Sequence, residues 1–139
     1  MLALEELVDN LSKEARSRVM TSIRSRNTGP ELLIRRKLWA SGKRYRIHDR
    51  SVLGIPDISN KRKKVAVFID GCFWHGCSSC YKEPTSNVKY WKEKIIRNRE
   101  RRRQVLKDLR EYDWTILEFW EHEVRSNPGA VSLSISKKL

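Results

Sequence analysis

Long hydrophobic runs are absent from this sequence. No stretch approaches the ~20 apolar residues that a transmembrane helix needs, which argues against an integral membrane protein. The N-terminus, Met-Leu-Ala-Leu-Glu-Glu-Leu, lacks the basic leader and apolar segment of a secretory signal. Cysteine is scarce, and the odd total of three argues against a secreted disulfide scaffold. These absences predict a protein of a reducing, cytoplasmic compartment.

Acidic residues are few relative to basic ones. Seventeen Asp and Glu stand against 30 Lys and Arg, which gives a formal net charge of +13 and a pI near 10.1. Such an excess favours a polyanionic partner, nucleic acid first, with a basic membrane-surface protein as the alternative. With 39% hydrophobic and 34% charged residues, the chain is expected to fold as one globular domain over 1–139.

All three cysteines lie in one short segment. Cys72, Cys77 and Cys80 follow an apolar run at 65–69 that ends in an acid, Asp70. Their C-x4-C-x2-C spacing suits thiolate ligation of zinc better than disulfide pairing. Three thiolates leave one tetrahedral position open, and the chain has three histidines to fill it. Ordinary buried cysteines are the alternative, but clustering within nine positions favours a metal site.

The first part of the chain predicts helices. Residues 1–26 carry helical signals and a basic face, which predicts an N-terminal helical segment that contacts DNA. Thr28-Gly-Pro-Glu31 has the form of a capping box with proline in the first turn. The helix that follows should end at Gly42. Its expected apolar stripe consists of Leu32, Leu33, Leu38 and Trp39.

The rest of the chain alternates between strands and helices, which predicts an α/β fold. The expected elements are a strand at 45–47, a turn at 53–57, an extended segment at 57–59, a charged hairpin turn at 60–64, a buried strand at 65–69, a long helix from 84–87 to 111 and a strand at 114–120. Residues 126–139 are interpreted as a polar tail.

Two acids stand at the ends of the predicted central strands. Asp57 follows Gly-x-Pro at the start of an extended segment, and Asp70 ends the buried strand. A hairpin places such ends side by side, where carboxylates and a backbone carbonyl can hold Mg²⁺. His75 can deprotonate a water or protonate a leaving oxygen. Together with Glu31, for which helix capping alone is a sufficient role, these residues in a basic protein predict metal-dependent phosphodiester hydrolysis.

The long helix has an apolar face that includes two polar residues. The face consists of Val88, Trp91, Ile95, Val105, Leu106 and Leu109, at spacings of three and four. Asn98 and Arg102 fall on the same stripe, where polar groups are costly unless hydrogen-bonded. They indicate a functional site, with a solvated edge of the stripe as the alternative. The arginines of 97–103 are interpreted as phosphate contacts rather than as a solvated face.

Several segments between residues 12 and 125 form a recognisable set. They are Arg18-Val-Met20-x-x-Ile23, Thr28-x-Pro-Glu31, Gly54-x-Pro-Asp57, Phe68-x-Asp-Gly-Cys-Phe-Trp-His-Gly-Cys77, Tyr90-Trp91-x-x-Lys94-Ile95-x-x-Asn98 and Trp120-Glu121. This set resembles the very-short-patch repair (Vsr) endonucleases, which nick DNA beside a T:G mismatch left by deamination of 5-methylcytosine. Gly-Cys-Phe-Trp-His is highly specific, whereas Gly-x-Pro-Asp alone is weak.

The resemblance implies a restriction-endonuclease-like fold, related to the PD-(D/E)xK superfamily, with a central mixed β-sheet flanked by helices. It implies a monomer with one structural zinc and catalytic Mg²⁺. Duplex DNA with a T:G mismatch is the implied substrate. Mismatch-repair proteins and a cognate cytosine methyltransferase system are the implied partners.

The resemblance also implies roles for individual residues in catalysis. Asp57 matches the metal-binding aspartate, and Ile69 the position whose backbone carbonyl completes that Mg²⁺ site. His75 matches the catalytic histidine, and Glu31 an acid that supports the active centre. Asp70 occupies a position that the family fills with His or Asp.

Zinc and DNA contacts are implied in the same way. His122 matches the fourth zinc ligand beside the three cysteines. The matching DNA contacts are Phe73, Trp74 and Trp91 as aromatics that wedge into the base stack, Met20 as an apolar contact from the minor groove, and Lys94 and Asn98 as polar readers of the mismatched pair. A weak mismatch lowers the cost of opening a base step, which is a source of selectivity.

The sequence departs from these patterns at two places. The nuclease fold class usually carries an acid-x-Lys motif after the first aspartate. Ile69-Asp70-Gly71 has no lysine, and the Vsr resemblance implies this absence. Arg102 stands where the family normally has an aspartate that orients the catalytic histidine. An arginine cannot accept the N–H of His75 and would lower its pKa. Arg102 is therefore expected either to bind a phosphate or to impair catalysis.

The sequence thus predicts a strand-specific, Mg²⁺-dependent DNA endonuclease that nicks beside T:G mismatches. One alternative is a Vsr-like nuclease redirected to nicking for a mobile element. Another is a zinc-stabilised DNA-binding module that has lost turnover, against which the presence of Asp57 and His75 argues.

Overall fold

The computed structural model describes residues 27–139 except Trp74, Tyr81 and Glu83. In chain order the elements are helix α1 (Gly29–Ala40), strand β1 (Arg46–Ile47), strand β2 (Ile58–Asn60), strand β3 (Val65–Asp70), helix α2 (Val88–Glu111), strand β4 (Thr115–Trp120), helix α3 (Glu121–Ser126) and helix α4 (Pro128–Ser136). The helical segment expected at 1–26 lies outside the described residues, as does its Met20.

The strands form one four-stranded mixed sheet in the order β1-β2-β3-β4. The first two pairs are antiparallel, and β3 runs parallel to β4. The charged turn closes the β2–β3 hairpin, where the Lys63 N–H donates to Asn60 Oδ1 at 3.0 Å. A parallel pair needs a long crossover, which α2 supplies. The predicted α/β architecture, a sheet flanked by helices, is confirmed at this level.

Strand β3 is buried along its whole length, because helices cover both faces of the sheet. Val65, Val67 and Ile69 pack in a core with α1, α3 and α4. Ala66 and Phe68 pack on the other face against Leu109 of α2. The predicted apolar stripe of the long helix is confirmed, since the buried residues of α2 are Trp91, Ile95 and Leu109.

Helix α1 buries only one residue of the predicted stripe, Leu38, whereas the other three are half-buried or exposed. Ile34 and Leu38 are fully buried, whereas Trp39 is 58% exposed and Leu32 and Leu33 are half-buried. The reason is that α1 packs against α4 as well as the sheet, and no sequence signal placed α4 there.

The capping box of α1 is only half formed. Thr28 Oγ1 accepts from the Glu31 N–H at 3.4 Å. The Glu31 side chain does not return to Thr28: its Oε2 accepts from the Asn27 N–H at 3.0 Å. The Glu31 carboxylate is turned inward, where the same oxygen also lies 3.1 Å from His48 Nε2.

The interpretation of residues 126–139 as a polar tail is corrected by the structure. Asn127 caps helix α4 by accepting the Ala130 N–H at 3.1 Å. Val131, Ile135 and Leu139, spaced by four, are at most 6% exposed and belong to the same core as α1. Serines and lysines between these positions give the segment its polar composition, although its buried face is apolar. No helix among the described residues is both long and apolar enough to cross a membrane.

Candidate active site and metal centre

The cysteine loop after β3 meets the start of α3 because of the parallel pairing. Asp70 pairs with Trp120 in the β3–β4 register. Cys72 lies two residues after Asp70, and His122 lies two residues after Trp120. The two segments therefore leave the sheet side by side. The loop then folds back on itself, and the Cys77 N–H donates to the Cys72 carbonyl at 2.8 Å.

Four ligand atoms converge at this point. The Sγ atoms of Cys72, Cys77 and Cys80 lie 3.4, 3.6 and 3.3 Å from His122 Nδ1. Ligands about 2.3 Å (S) and 2.0–2.1 Å (N) from a tetrahedral zinc would stand about 3.5 Å apart. The donor set and its spacing therefore fit a Zn²⁺ ion, which would join the loop to α3.

A second cluster lies at the same end of the sheet. Glu31 of α1, His48 after β1 and Asp57 before β2 place their ligand atoms within 4.8 Å of one another. His48 Nε2 is 3.1 Å from Glu31 Oε2 and 3.7 Å from Asp57 Oδ1. The three residues could hold a divalent cation.

The two acids of this cluster are strongly desolvated. Glu31 is 2% exposed, and no hydrogen-bond donor among the described residues reaches its buried Oε1. Burial raises the pKa of Asp57 to about 7, and the charge of Glu31 adds to the shift. Burial also raises the pKa of Glu31. Two carboxylates in such a place need a cation or a shared proton.

Ile69 contacts Asp57 through its backbone. The Ile69 N–H donates to Asp57 Oδ2 at 2.6 Å, which fixes the carboxylate against the end of β3. The hairpin thus brings Asp57 beside the C-terminal end of β3, as the sequence predicts. The contact in the structure is with the amide of Ile69, whereas the resemblance implied its carbonyl as a metal ligand.

Asp70, His75 and Arg102 form a separate group on the α2 side of the sheet. Arg102 Nη1 donates to Asp70 Oδ2 at 2.7 Å, and its guanidinium lies 4.1 Å above the Phe68 ring. Asp70 Oδ1 faces His75 Nε2 at 3.7 Å. These three residues line a cleft of about 350 Å³ together with Arg99. Such a cleft suits a phosphate group.

The loop holds His75 against α2. Arg99 donates to the carbonyls of His75, at 3.0 Å, and of Gly76. Gly76 has φ +63°, and a Cβ there would lie 2.8 Å from Ile95 Cγ2, so only glycine fits this close approach. Burial lowers the pKa of His75, Asp70 opposes this effect, and Arg102 adds to it.

The expected DNA-contacting residues are only partly described. Trp74 and Met20 lie outside the described residues. Phe73 is half-buried, and its ring centre is 5.2 Å from that of Trp91, which is 8% exposed. Lys94 and Asn98 are half-buried on α2. Trp91, which the resemblance implied as one of the wedging aromatics, is thus largely buried and packs edge-to-face against Phe73.

His48 is the site residue that the sequence reasoning missed. Ile47 pairs with Ile58, so His48 lies next to Asp57 and donates its N–H to the Asp57 carbonyl at 3.4 Å. The signal was available, because an antiparallel pairing of the predicted strands at 45–47 and 57–59 brings positions 48 and 57 together.

Acids and imidazoles at one end of a sheet, beside a cleft that contains arginines, indicate a hydrolase of phosphodiesters. Comparisons with known proteins identify the family. The model of the family "DNA mismatch endonuclease Vsr" matches residues 8–82. This chain belongs to the Vsr family and is a DNA endonuclease.

Relatives match most of the chain. The type II nicking enzyme V.HpaIIP of Haemophilus parainfluenzae is 42% identical over 135 residues, 95% of this chain and 96% of that protein. The type II nicking enzyme V.NaeI of Lentzea aerocolonigenes is 45% identical over 113 residues, 78% of this chain and 68% of that protein. The DNA mismatch endonuclease Vsr of Escherichia coli K12 is 32% identical over 135 residues, which are 96% of this chain and 86% of that protein.

Proposed function

We propose that this protein nicks one strand of duplex DNA beside a T:G mismatch in very-short-patch repair in the cytoplasm, as a monomer with a restriction-endonuclease-like fold. Structural Zn²⁺ and catalytic Mg²⁺ complete the enzyme. The observation that carries the proposal is one convergence. The Glu31–Asp57 acid pair, the Asp70–His75 pair and the cysteine loop with Phe73 all lie at the same end of the sheet.

Asp57, Glu31 and the main chain of Ile69 form the proposed Mg²⁺ site. When bound, Mg²⁺ stabilises negative charge that develops on the phosphate oxygens. The Ile69 N–H holds one Asp57 oxygen, so the other remains directed toward the cluster. Glu31 adds a second carboxylate whose Oε1 has no donor among the described residues.

His75 is the proposed proton-transfer group. Its imidazole lines the arginine cleft, where it can take a proton from an attacking water or give one to the leaving oxygen. Asp70 Oδ1 lies on the Nε2 side of the ring and can orient it. The arginines of the cleft attract the scissile phosphate.

Phe73 is the proposed wedge beside the mismatched pair, together with Trp74. The contact with buried Trp91 gives Phe73 a rigid support, and the cysteine loop fixes its base. Lys94 and Asn98, on the same helix as Trp91, are the proposed readers of the mismatch, and Met20 the contact from the minor groove. Aromatic wedges of this kind open a base step at a cost of about a few kcal/mol.

The proposal predicts cleavage that depends on the mismatch. With the protein and Mg²⁺, a duplex with a T:G pair should be nicked on one strand at least about 100-fold faster than the same duplex with C:G, a difference of about 2.7 kcal/mol. Phe73→Ala should reduce this preference about tenfold, since stacking on a base is worth about 1–3 kcal/mol.

Tyr112→Ala is the matched control for the aromatic. It removes an exposed ring at the far end of α2 and should leave the preference unchanged. Equal nicking of both duplexes would contradict mismatch specificity and indicate a nicking enzyme with another target. If Phe73→Ala lowers the melting temperature sharply and leaves the preference intact, Phe73 is a core residue.

Arg102 is proposed both to hold Asp70 and to contact a phosphate in the cleft. Arg102→Ala should slow nicking by about 10- to 100-fold and reduce the salt dependence of DNA binding by about one counterion. Arg103→Ala is the control, because Arg103 lines the same cleft but pairs with the exposed Glu100 at 3.4 Å. It should change the salt dependence and leave the rate of bound complexes intact. Faster nicking by Arg102→Asp would show instead that the arginine impairs catalysis.

A further inference from the structure

His48 stands in an unusual backbone conformation beside the acid pair. Its φ is +45°, in the left-handed region that non-glycine residues seldom adopt. Backbone strain of this kind persists where the surrounding structure imposes it. Here it places His48 Nε2 at 3.1 Å from Glu31 Oε2 and at 3.7 Å from Asp57 Oδ1.

The cluster has the charge and the donor set of a cation site. Glu31 is only 2% exposed, and no hydrogen-bond donor among the described residues reaches its Oε1. The His48 and Asp57 side chains are 13% and 14% exposed. One nitrogen and two carboxylate oxygens lie within 4.8 Å of one another, close enough to share one ion. A cation at this point would neutralise both carboxylates and could bind Glu31 Oε1, which has no hydrogen-bond donor among the described residues.

We propose that His48 Nε2 is a direct ligand of the divalent cation held by Glu31 and Asp57. This inference rests on the proposed catalytic cation and adds a nitrogen to its ligands. Mg²⁺ is held through oxygen, whereas imidazole suits transition-metal ions. A site of one imidazole and two carboxylates therefore binds Mn²⁺ more tightly than Mg²⁺, and Mn²⁺ is the probe of choice.

The test measures Mn²⁺ binding to the full chain in the absence of DNA, with the cysteine site filled by zinc beforehand. Electron paramagnetic resonance counts bound Mn²⁺, and its pulsed form detects nitrogen directly bonded to the ion. The wild type should show one bound Mn²⁺ with an imidazole nitrogen signal. Competition with Mg²⁺ should give a preference for Mn²⁺ of at least about tenfold, or about 1.4 kcal/mol.

His48→Gln should abolish the nitrogen signal and lower Mn²⁺ affinity at least about tenfold, with a smaller loss for Mg²⁺. The glutamine amide can still donate to Glu31, so the acid pair should keep its place. His48→Asn is the second variant if the first fails to fold, because asparagine tolerates a positive φ. His75→Gln is the control: His75 faces Asp70, outside this cluster, and the signal should persist without it.

A wild-type signal that persists in His48→Gln, or that disappears in His75→Gln, would overturn the proposal. So would the absence of any nitrogen signal with bound Mn²⁺, since His48 would then only position the carboxylates. These outcomes are independent of nicking. A protein that shows the His48-dependent signal but does not discriminate T:G from C:G refutes the proposed function alone.

Discussion

Replacing Asp57 with asparagine is expected to reduce nicking at least about 1,000-fold, a loss of about 4 kcal/mol of transition-state stabilisation. Asp57 lies at the centre of the acid cluster, between Glu31 and the end of β3. An amide is a poor ligand for a hard dication, so the chemical step should suffer. Affinity for duplex DNA should stay within about threefold, because the basic and aromatic contacts of α2 and the cysteine loop remain. Single-turnover nicking rates and binding titrations would measure the two effects separately.

The variant should also remain folded. The asparagine oxygen can still accept the Ile69 N–H, and the repulsion between two buried carboxylates disappears. Asp113→Asn is the matched control: Asp113 is an exposed acid after α2 with φ +62°, which asparagine tolerates. A parallel fall in binding, nicking and melting temperature would mean that Asp57 has a structural role instead.

Removal of the proposed zinc ion is the second change with a large expected effect. Cys72, Cys77 and Cys80 join the loop after β3 to His122 at the start of α3, some forty residues later. Metal binding of this kind is part of the folding free energy. Cys77→Ser, at a side chain that is 1% exposed, should lose the zinc and more than about 3 kcal/mol of stability, which lowers the melting temperature by more than about 10 °C.

Elemental analysis should find one zinc in the wild type and none in Cys77→Ser. Ser79→Ala is the control, because it removes an exposed hydroxyl from the same loop but keeps the backbone N–H that hydrogen-bonds to Cys77. Its zinc content and melting temperature should match those of the wild type. A wild-type protein that is purified without metal, and whose melting is unaffected by a strong chelator, would contradict the zinc prediction.

Two parts of the fold follow from local sequence alone. Residues 65–69 are continuously apolar and predict a strand buried on both faces, which β3 is. The stripe at Trp91, Ile95 and Leu109 predicts the buried face of α2. In both cases the arrangement of apolar residues along the chain matches the faces that the element buries, so no distant contact is needed to interpret them.

The Vsr resemblance was also present in the sequence, and the family comparison confirms it. It rests on runs such as Gly71-Cys-Phe-Trp-His75, where order and residue type together are specific. The spacing of the cysteines indicated a metal site. The spacing alone did not supply the fourth ligand. The resemblance implied His122, and the β3–β4 register explains how this distant residue reaches the loop.

Only the tertiary structure decided which side chains meet across elements. His48 joins Glu31 and Asp57 because β1 pairs with β2 while α1 packs over that end of the sheet. Arg102 binds Asp70 because α2 crosses the sheet on the face where Asp70 points. Helix α4 adds its apolar face to the core although its composition is polar. Composition, spacing and periodicity are local properties of the chain, whereas these contacts depend on register and packing, which bring together residues that are far apart in sequence.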